Sequence, residues 1–217
     1  MIRAAVFDLD GTLLDTVPDI GAALNRALAA CGLPTHPIDR VKGFVGNGIR
    51  KAVTRAVPDG NDTETVDRVL AAYLEDYALR CAEETAYFPG VQEMLRELTD
   101  RGMPLAVLSN KTERDVLTIV KHYFPDIPFR CVLGQVDDRP LKPDGAAAKP
   151  VLEALGVPAG EVAYVGDTGS DMTFAIAAGM VPVAAPWGYR SRETLIECGA
   201  KIIAEDGFDL LRILTEN

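Results

Sequence analysis

Two aspartates stand one residue apart directly after an apolar run near the start of the chain. Residues 2–7 carry mostly aliphatic side chains and predict a buried strand, and Asp8, Leu9 and Asp10 follow them. If the chain stays extended here, the two carboxylates point to the same side, roughly 6.5 Å apart along the strand. The pattern also fits an Asx turn that leads into Gly11. Two like charges this close predict a positive partner, either a metal ion or a lysine.

Polar residues also follow two other runs that predict buried strands. They are Ser109, Asn110 and Lys111 after residues 105–108, and Asp167 and Asp171 after residues 162–165. Because ligands in open α/β sheets bind outside the carboxyl ends of the strands, we expect these side chains to meet at one edge of the sheet. Carboxylate oxygens in such a cluster suit a hard divalent cation. The sequence therefore predicts a Mg²⁺ site formed by Asp8, Asp10, Asp167 and Asp171.

The same edge of the sheet carries candidates for anion binding. Ser109 and Asn110 offer a hydroxyl, an amide and backbone N–H groups before a predicted helix. The same residues also fit a simple helix N-cap. Two lysines precede prolines, Lys142 and Lys149. We favour Lys142 as the cation of the site, because it lies just before a predicted helix, whereas Lys149 lies inside that helix.

Strands and helices alternate over most of the chain. The predicted strands are residues 2–7, 105–108, 129–133, 162–165, 181–185 and 201–203. The predicted helices are residues 19–30, a short one from residue 49, 63–84, one that has Pro89 in its first turn, 113–121, 145–155, 171–178, 193–197 and 208–214. This alternation predicts an α/β fold with a Rossmann-like, doubly wound parallel sheet.

One segment interrupts this alternation. Residues 17–87 contain only predicted helices and glycine-rich loops, and the segment is too long for a loop. We interpret it as a small, inserted, all-helical cap domain. The predicted domains are therefore a core of residues 1–16 and 88–217 and a cap of residues 17–87.

Composition limits the classes of partner. The net charge of −10 gives no general basic field for nucleic acid or an anionic membrane. The four cysteines form no C-x-x-C pair, which is typical of reduced thiols. The first residues contain no secretory apolar region, and no apolar run is long enough to span a membrane. We expect a cytoplasmic monomer or homodimer that binds neither nucleic acid nor membranes.

Four motifs, taken in order, resemble those of a known family. FDLDGT, LSNK, LKPDG and VGDTGSD are similar to the four motifs of the haloacid dehalogenase-like hydrolase superfamily. The resemblance covers nearly the whole chain and implies a magnesium-dependent phosphatase that forms an aspartyl-phosphate. It implies that Asp8 is the nucleophile, that Asp10 is the general acid and then the general base, and that Lys142 balances the negative charge.

The resemblance also assigns the binding residues. Ser109, with the backbone of Asn110, would hold the phosphoryl oxygens. Thr12 is also predicted to bind the substrate. Asp167 would ligate Mg²⁺ together with Asp8 and the backbone carbonyl of Asp10. Asp171 would support that metal site, directly or through water.

Within the superfamily, the chain looks most like the phosphoglycolate phosphatases. This resemblance rests on the SNK motif, the position of the helical cap and the sequence VGNGIRK within that cap. The resemblance implies 2-phosphoglycolate, a small phosphorylated substrate. In the predicted cap, Gly46 and Asn47 present backbone N–H groups, and the guanidinium of Arg50 suits a carboxylate. Arg50 fits a solvated helix face equally well.

Two alternatives stay open from the sequence. The first is a phosphatase or phosphomutase of the same fold that acts on a sugar phosphate, pyrophosphate or a nucleotide. The second is a phospho-accepting signalling switch, which also unites acidic residues, a hydroxyl and a lysine around Mg²⁺. The helical insertion and Asp10 argue against the switch, because a second aspartate beside the phosphorylated residue would hasten its hydrolysis.

Overall fold

The computed structural model of the protein describes residues 1–59 and 62–216. The chain divides into two compact units. Unit 1 comprises Met1–Asp15 and Tyr87–Asn217, and unit 2 comprises Thr16–Ala86. Unit 2 is therefore a single continuous segment inserted into unit 1.

Six of the strands in the described residues form one parallel sheet. The strands are β1 (Ala4–Phe7), β2 (Leu14–Asp15), β3 (Ala86–Tyr87), β4 (Leu105–Thr112), β5 (Val132–Gln135), β6 (Val162–Gly166), β7 (Val181–Ala184) and β8 (Ile202–Ile203). The order in the sheet is β5-β4-β1-β6-β7-β8, and all neighbouring strands are parallel. The short strands β2 and β3 form a separate two-stranded sheet.

The sheet is wound in two directions from its centre. After β1, the chain builds β4 and β5 on one side, and it then returns to build β6, β7 and β8 on the other side. β1 therefore lies between β4 and β6, at the point where the strand order reverses. This is the place where sheets of this type bind ligands. The predicted Rossmann-like, doubly wound α/β fold is confirmed.

Helices complete the two units. The described residues contain α1 (Val17–Ala30), α2 (Ile38–Lys42), α3 (Ile49–Ala56), α4 (Thr63–Arg80), α5 (Val91–Asp100), α6 (Glu113–Tyr123), α7 (Lys149–Leu155), α8 (Gly169–Ala177), α9 (Arg192–Glu197) and α10 (Gly207–Glu216). The three central strands, β1, β4 and β6, are almost fully buried, as expected for nearly continuous apolar runs in a parallel sheet. Ala4, Val6 and Tyr164, for example, face a core cluster that includes Val151 of α7 and Phe174 of α8.

Unit 2 has its own helical core. α1 packs against α4, and the stacked rings of Tyr73 and Tyr77, with centroids 5.2 Å apart, lie on the buried side of α4. Asp76 of α4 accepts hydrogen bonds from Arg26 at 2.6–3.0 Å and also from Arg80. These contacts join the two longest helices of the unit.

The structure corrects several predicted elements. Strand β4 continues to Thr112, so Ser109 and Asn110 lie within a strand and not at the start of a helix. Its pairing with β5 shifts register between Leu108 and Thr112, and this irregularity separates the apolar half of the strand from its polar end. The helix predicted for residues 145–155 is a 3₁₀ turn, Gly145–Ala148, followed by α7. Pro150 therefore occupies the first turn of α7, where a proline removes no helical hydrogen bond.

Four smaller corrections concern other predicted elements and their bounds. Residues 38–42, for which no helix was predicted, form α2. Helix α4 ends at Arg80 and not at residue 84. The region predicted to contain no strand includes β3. Pro89 lies in a turn before α5, not in the first turn of that helix. In the described residues, no helix is both long enough and apolar enough to span a membrane.

Candidate active site

The functional side chains come from the ends of three adjacent strands. β1 leads into Asp8 and Asp10, β4 carries Ser109 at its polar end, and β6 is followed by Asp167. Strand β1 ends at Phe7 and the chain bends at Leu9, so the condition that the chain stays extended through Asp8 and Asp10 is not met. The bend sends the two carboxylates to different partners.

Three carboxylates converge at this edge of unit 1. One oxygen from each of Asp8, Asp167 and Asp171 lies within 4.8 Å of the other two, and all three residues are buried. Three of the four predicted carboxylates form this group. A part for Asp10 in metal binding stays a prediction.

Lys142 supplies the positive charge of the carboxylate cluster. Its ammonium lies 3.0 Å from Asp8 Oδ1 and 2.7 Å from Asp171 Oδ1, and its side chain is 1% exposed. The ammonium also donates to the hydroxyl of Tyr164 at 2.8 Å, and that hydroxyl donates to the carbonyl of Leu108 at 2.9 Å. Lys149, the competing lysine, is exposed at the start of α7. Lys142 is thus the lysine that the structure brings to the aspartates.

Burial is the largest influence on the pKa values of the charged groups in the cluster. Burial raises the pKa of Asp8 to about 6, although the charge of Lys142 opposes the shift. Burial, followed by the charges of Asp171 and Asp8, raises the pKa of Asp167 well above its usual range. Burial acts to lower the pKa of Lys142, but the charges of Asp171 and Asp8 outweigh it and raise the pKa.

A divalent cation fits this group of residues. Three ionised carboxylates and one ammonium leave two negative charges without compensation in a buried place, and a divalent cation would balance them. The donors are all carboxylate oxygens, which suits Mg²⁺. Both oxygens of Asp171 already accept hydrogen bonds, Oδ1 from Lys142 and Oδ2 from the backbone and hydroxyl of Thr168. Asp171 is thus more tightly held by the protein than Asp8.

Small residues and loops enclose Asp167. Its oxygens accept from the hydroxyl of Thr12 at 3.2 Å and from the backbone N–H of Tyr189 at 2.8 Å. A Cβ on Gly11, which has a φ of +82°, would lie 2.3 Å from Asp167 Oδ2. A Cβ on Gly188 would lie 2.4 Å from Asp167 Cβ. The hydroxyl of Thr12, a predicted substrate-binding group, therefore orients Asp167 in this structure.

Asn110 holds the backbone of Lys142 with both ends of its amide. Its Nδ2 donates to the carbonyl of Lys142 at 2.9 Å, and its Oδ1 accepts from the backbone N–H of Lys142 at 2.9 Å. Both residues are buried and 32 positions apart in the chain. The side chain thus positions Lys142, a role that neither of the two predictions for Asn110, phosphate binding and helix N-capping, included. The neighbouring Ser109 is also buried, and its Oγ accepts from the N–H of Lys111 at 3.3 Å.

Asp10 has a lysine of its own. The ammonium of Lys111 lies 2.9 Å from Asp10 Oδ1 and 3.1 Å from Oδ2. The two side chains are 7% and 11% exposed. Lys111 is visible in the LSNK motif, but no local pattern in the sequence pairs it with Asp10, which is 101 residues away.

Two aromatic residues, Tyr164 and Trp187, contact residues of the site, and the sequence predicted neither contact. Tyr164 is central to an apolar strand, and periodicity alone marks it as a core residue. The indole N–H of Trp187 donates to the carbonyl of Thr12 at 3.1 Å. The position of Trp187, directly after the carboxyl end of β7, is the signal that could have pointed to this contact.

The predicted cap residues lie in unit 2. The side chain of Asn47 accepts from Arg55 at 2.9 Å. Arg50 forms an ion pair with Asp67 at 2.6 Å, and both side chains are 55% exposed. Gly46 has a φ of +118° in the loop before α3. Substrate binding by Gly46, Asn47 and Arg50 stays a prediction.

Comparison with known proteins agrees with the fold and the site. The sequence model of the haloacid dehalogenase-like hydrolase family matches residues 5–185. A phosphoglycolate phosphatase of Pseudomonas syringae pv. tomato is 37% identical over 208 residues, covering 94% of this chain and 76% of that protein. Phosphoglycolate phosphatase 1 of Pseudomonas aeruginosa is 35% identical over 214 residues, covering 96% and 78%.

A solved structure shows the same architecture. It is that of a protein from Lactobacillus delbrueckii subsp. bulgaricus, provisionally described as a phosphoglycolate phosphatase. It superposes with a TM-score of 0.92, at 31% identity, over 98% of both chains.

The chain belongs to the haloacid dehalogenase-like hydrolase family. Within that family it is similar to the phosphoglycolate phosphatases. The predicted reaction class, a phosphoric monoester hydrolase, is confirmed.

Proposed function

We propose that the protein is a magnesium-dependent phosphatase that hydrolyses 2-phosphoglycolate through an aspartyl-phosphate on Asp8. The observation that carries the proposal is the meeting of the carboxylates of Asp8, Asp167 and Asp171 within 4.8 Å, with the ammonium of Lys142 on Asp8. The identity of about 35% with relatives named phosphoglycolate phosphatase supports the choice of substrate.

Asp8 is suited to nucleophilic attack. Both of its hydrogen bonds within the described chain, from the N–H of Leu9 at 2.8 Å and from Lys142 at 3.0 Å, use Oδ1. These contacts fix the carboxylate and leave Oδ2 to attack phosphorus. The attack forms the bond between Asp8 Oδ2 and phosphorus and breaks the ester P–O bond, and the electron pair of that bond stays on the leaving oxygen.

Asp10 handles the protons in both halves of the reaction. It donates a proton to the leaving oxygen as the ester bond breaks. It then takes a proton from a water molecule, and the resulting hydroxide attacks phosphorus and releases phosphate from Asp8. Lys142 balances the negative charge that Asp8 and the phosphoryl group bring together. The hydroxyl of Ser109, with the backbone of Asn110, holds the phosphoryl oxygens.

The cation has a defined role in this scheme. Asp8, Asp167 and the backbone carbonyl of Asp10 would hold Mg²⁺, with Asp171 supporting that site, and the ion when bound would supply positive charge to the transferring phosphoryl group. We assign unit 2 the role of the cap that the family resemblance implies. Its Gly46 and Asn47 contribute backbone N–H groups to substrate binding.

The test is phosphate release with and without Mg²⁺ across 2-phosphoglycolate, sugar phosphates, pyrophosphate and a nucleotide. The wild-type protein is expected to need Mg²⁺ and to prefer 2-phosphoglycolate, and Asp8→Asn is expected to release no phosphate. Continued turnover by Asp8→Asn would refute the mechanism. Preference for another phosphate ester would refute the substrate but not the reaction.

A second measurement separates the two aspartates. An aryl phosphate has a leaving group that departs without a proton, so Asp10→Asn should release about one equivalent of the aryl alcohol in a burst and then stall as phosphoenzyme. Asp8→Asn should show no burst. A burst of the same size from both variants would place the nucleophile elsewhere.

A further inference from the structure

Two basic residues are buried among those that the structure describes, and they are Lys111 and Lys142. They serve different aspartates. Lys142 contacts Asp8 and Asp171 in the carboxylate cluster, whereas Lys111 contacts both oxygens of Asp10. The two lysines therefore divide the site into a phosphoryl side and a side that faces the leaving group.

The position of Lys111 has an electrostatic cost. Removing an ammonium from water is unfavourable unless it is well paired, and a buried pair is often no more stable than apolar residues of the same shape. Lys111 meets this requirement through both oxygens of Asp10, whose side chain is 11% exposed. The pair also fixes a positive charge beside the residue that serves the leaving oxygen, where a negatively charged group of the substrate would be stabilised.

The geometry places that charge within reach. A leaving oxygen protonated by Asp10 lies about 2.6–3.2 Å from its carboxyl group. In the phosphate ester of a 2-hydroxy acid, the carboxylate carbon is two bonds from that oxygen. The ammonium of Lys111, at 2.9 and 3.1 Å from the oxygens of Asp10, is therefore close enough to donate a charge-assisted hydrogen bond to the substrate carboxylate.

We propose that Lys111 is a specificity-determining residue that binds the carboxylate of the leaving group. The substrate class is then phosphate esters of 2-hydroxy acids, with 2-phosphoglycolate the smallest. The inference rests on the proposed function, in which Asp10 faces the leaving oxygen. It assigns part of the substrate selection to unit 1, beside the reacting atoms, and not only to the predicted cap residues.

The experiment compares two substrates of similar size in each variant. 2-Phosphoglycolate carries the carboxylate, and 2-hydroxyethyl phosphate carries a neutral hydroxymethyl group in its place. In Lys111→Met, kcat/KM for 2-phosphoglycolate should fall about 10- to 100-fold more than kcat/KM for 2-hydroxyethyl phosphate, as expected for one lost charge-assisted hydrogen bond. Lys111→Arg should recover part of the preference. Lys149→Met, a matched change at an exposed lysine, should keep the wild-type ratio.

The ratio is measured within one protein sample, so a partly folded variant still gives a valid result. Lys111→Gln is the second variant if Lys111→Met does not fold, and circular dichroism checks both. An equal fall for the two substrates would mean that Lys111 only positions Asp10, and the inference would be wrong while the proposed function stood. A wild-type protein that hydrolyses 2-hydroxyethyl phosphate but not 2-phosphoglycolate would refute both the inference and the proposed substrate.

Discussion

The contact between Asn110 and Lys142 gives a sharp prediction about the site. Replacing Asn110 with alanine removes two hydrogen bonds of 2.9 Å to the backbone N–H and C=O of Lys142. Both groups are in a buried region, because Asn110 is 6% and Lys142 is 4% exposed. The ammonium of Lys142 should lose its fixed position above Asp8 when its backbone is released.

The magnitude follows from the groups left without partners. A buried polar group that loses its hydrogen bond costs about 1–3 kcal/mol, so two such groups give about 2–6 kcal/mol. Water that enters the space of the deleted amide offsets part of this, and we expect the free energy of unfolding to fall by about 2–4 kcal/mol. Misplacement of a catalytic group by about 1 Å costs about 100-fold in rate, and we expect that loss in kcat/KM.

The chain offers a matched control in unit 2. Asn25 donates to the carbonyl of His36 and accepts from its N–H, both at 2.8 Å, which is the same arrangement on another backbone. Urea unfolding and steady-state phosphate release should be measured for Asn110→Ala, Asn25→Ala and Asn110→Asp. Asn25→Ala should lower stability but keep kcat. Asn110→Asp should lose activity as well, because a carboxylate oxygen would face the carbonyl of Lys142.

Two results would contradict this reasoning. The first is an Asn110→Ala protein whose free energy of unfolding falls by less than about 0.5 kcal/mol, the scale of an ordinary surface substitution. The second is equal kcat loss in Asn110→Ala and Asn25→Ala, since that would tie activity to general stability and not to the position of Lys142.

Three further predictions concern other parts of the molecule. Tyr164→Phe removes the hydroxyl that accepts from Lys142, and urea unfolding should show a loss of about 1–3 kcal/mol. Gly188→Ala would place a Cβ 2.2 Å from the carbonyl oxygen of Gly11, so thermal unfolding should show a loss of about 1–3 kcal/mol together with reduced turnover. Hydrogen bonds from its arginine partners lower the pKa of Asp76 below the unfolded value of about 3.9. The stability from this group is present above about pH 4 and is lost as the pH falls through the folded pKa. When the pH is lowered from about 5 to about 3, the free energy of unfolding, measured with urea, should therefore fall by about 1 kcal/mol less in Asp76→Asn than in the wild type.

The sequence by itself determined the elements whose signals are local. Apolar runs bounded by polar residues located β1 and β6 to within two residues, and helical periodicity located α1 and the start of α3. The alternation of these elements predicted the parallel sheet. Polar residues after apolar runs then located Asp8 directly after β1, Asp167 directly after β6, and Asp171 in helix α8 that follows β6. The carboxyl ends of parallel strands lie at one edge of a sheet, so such residues are expected near one another.

Local patterns failed where a neighbouring element decided the outcome. The polar end of β4 is a strand because Thr112 pairs with Gln135 of β5, which no pattern within residues 109–112 reveals. The spacing of Asp8 and Asp10 predicted two carboxylates on one side. The chain instead bends at Leu9, whose carbonyl accepts hydrogen bonds from the N–H groups of Thr12, Leu13 and Leu14. Asp8 lies in the carboxylate cluster, whereas Asp10 pairs with Lys111.

The tertiary structure alone decided which charges meet. Lys111 and Asp10 are 101 residues apart, and Lys142 and Tyr164 are 22 residues apart. Contacts at such separations leave no periodicity in the sequence, because neither partner has to follow the spacing of a helix or a strand. The order β4-β1-β6 in the sheet brings Lys111 beside Asp10, and the segment between β5 and α7 brings Lys142 to Asp8, Asp171 and Tyr164.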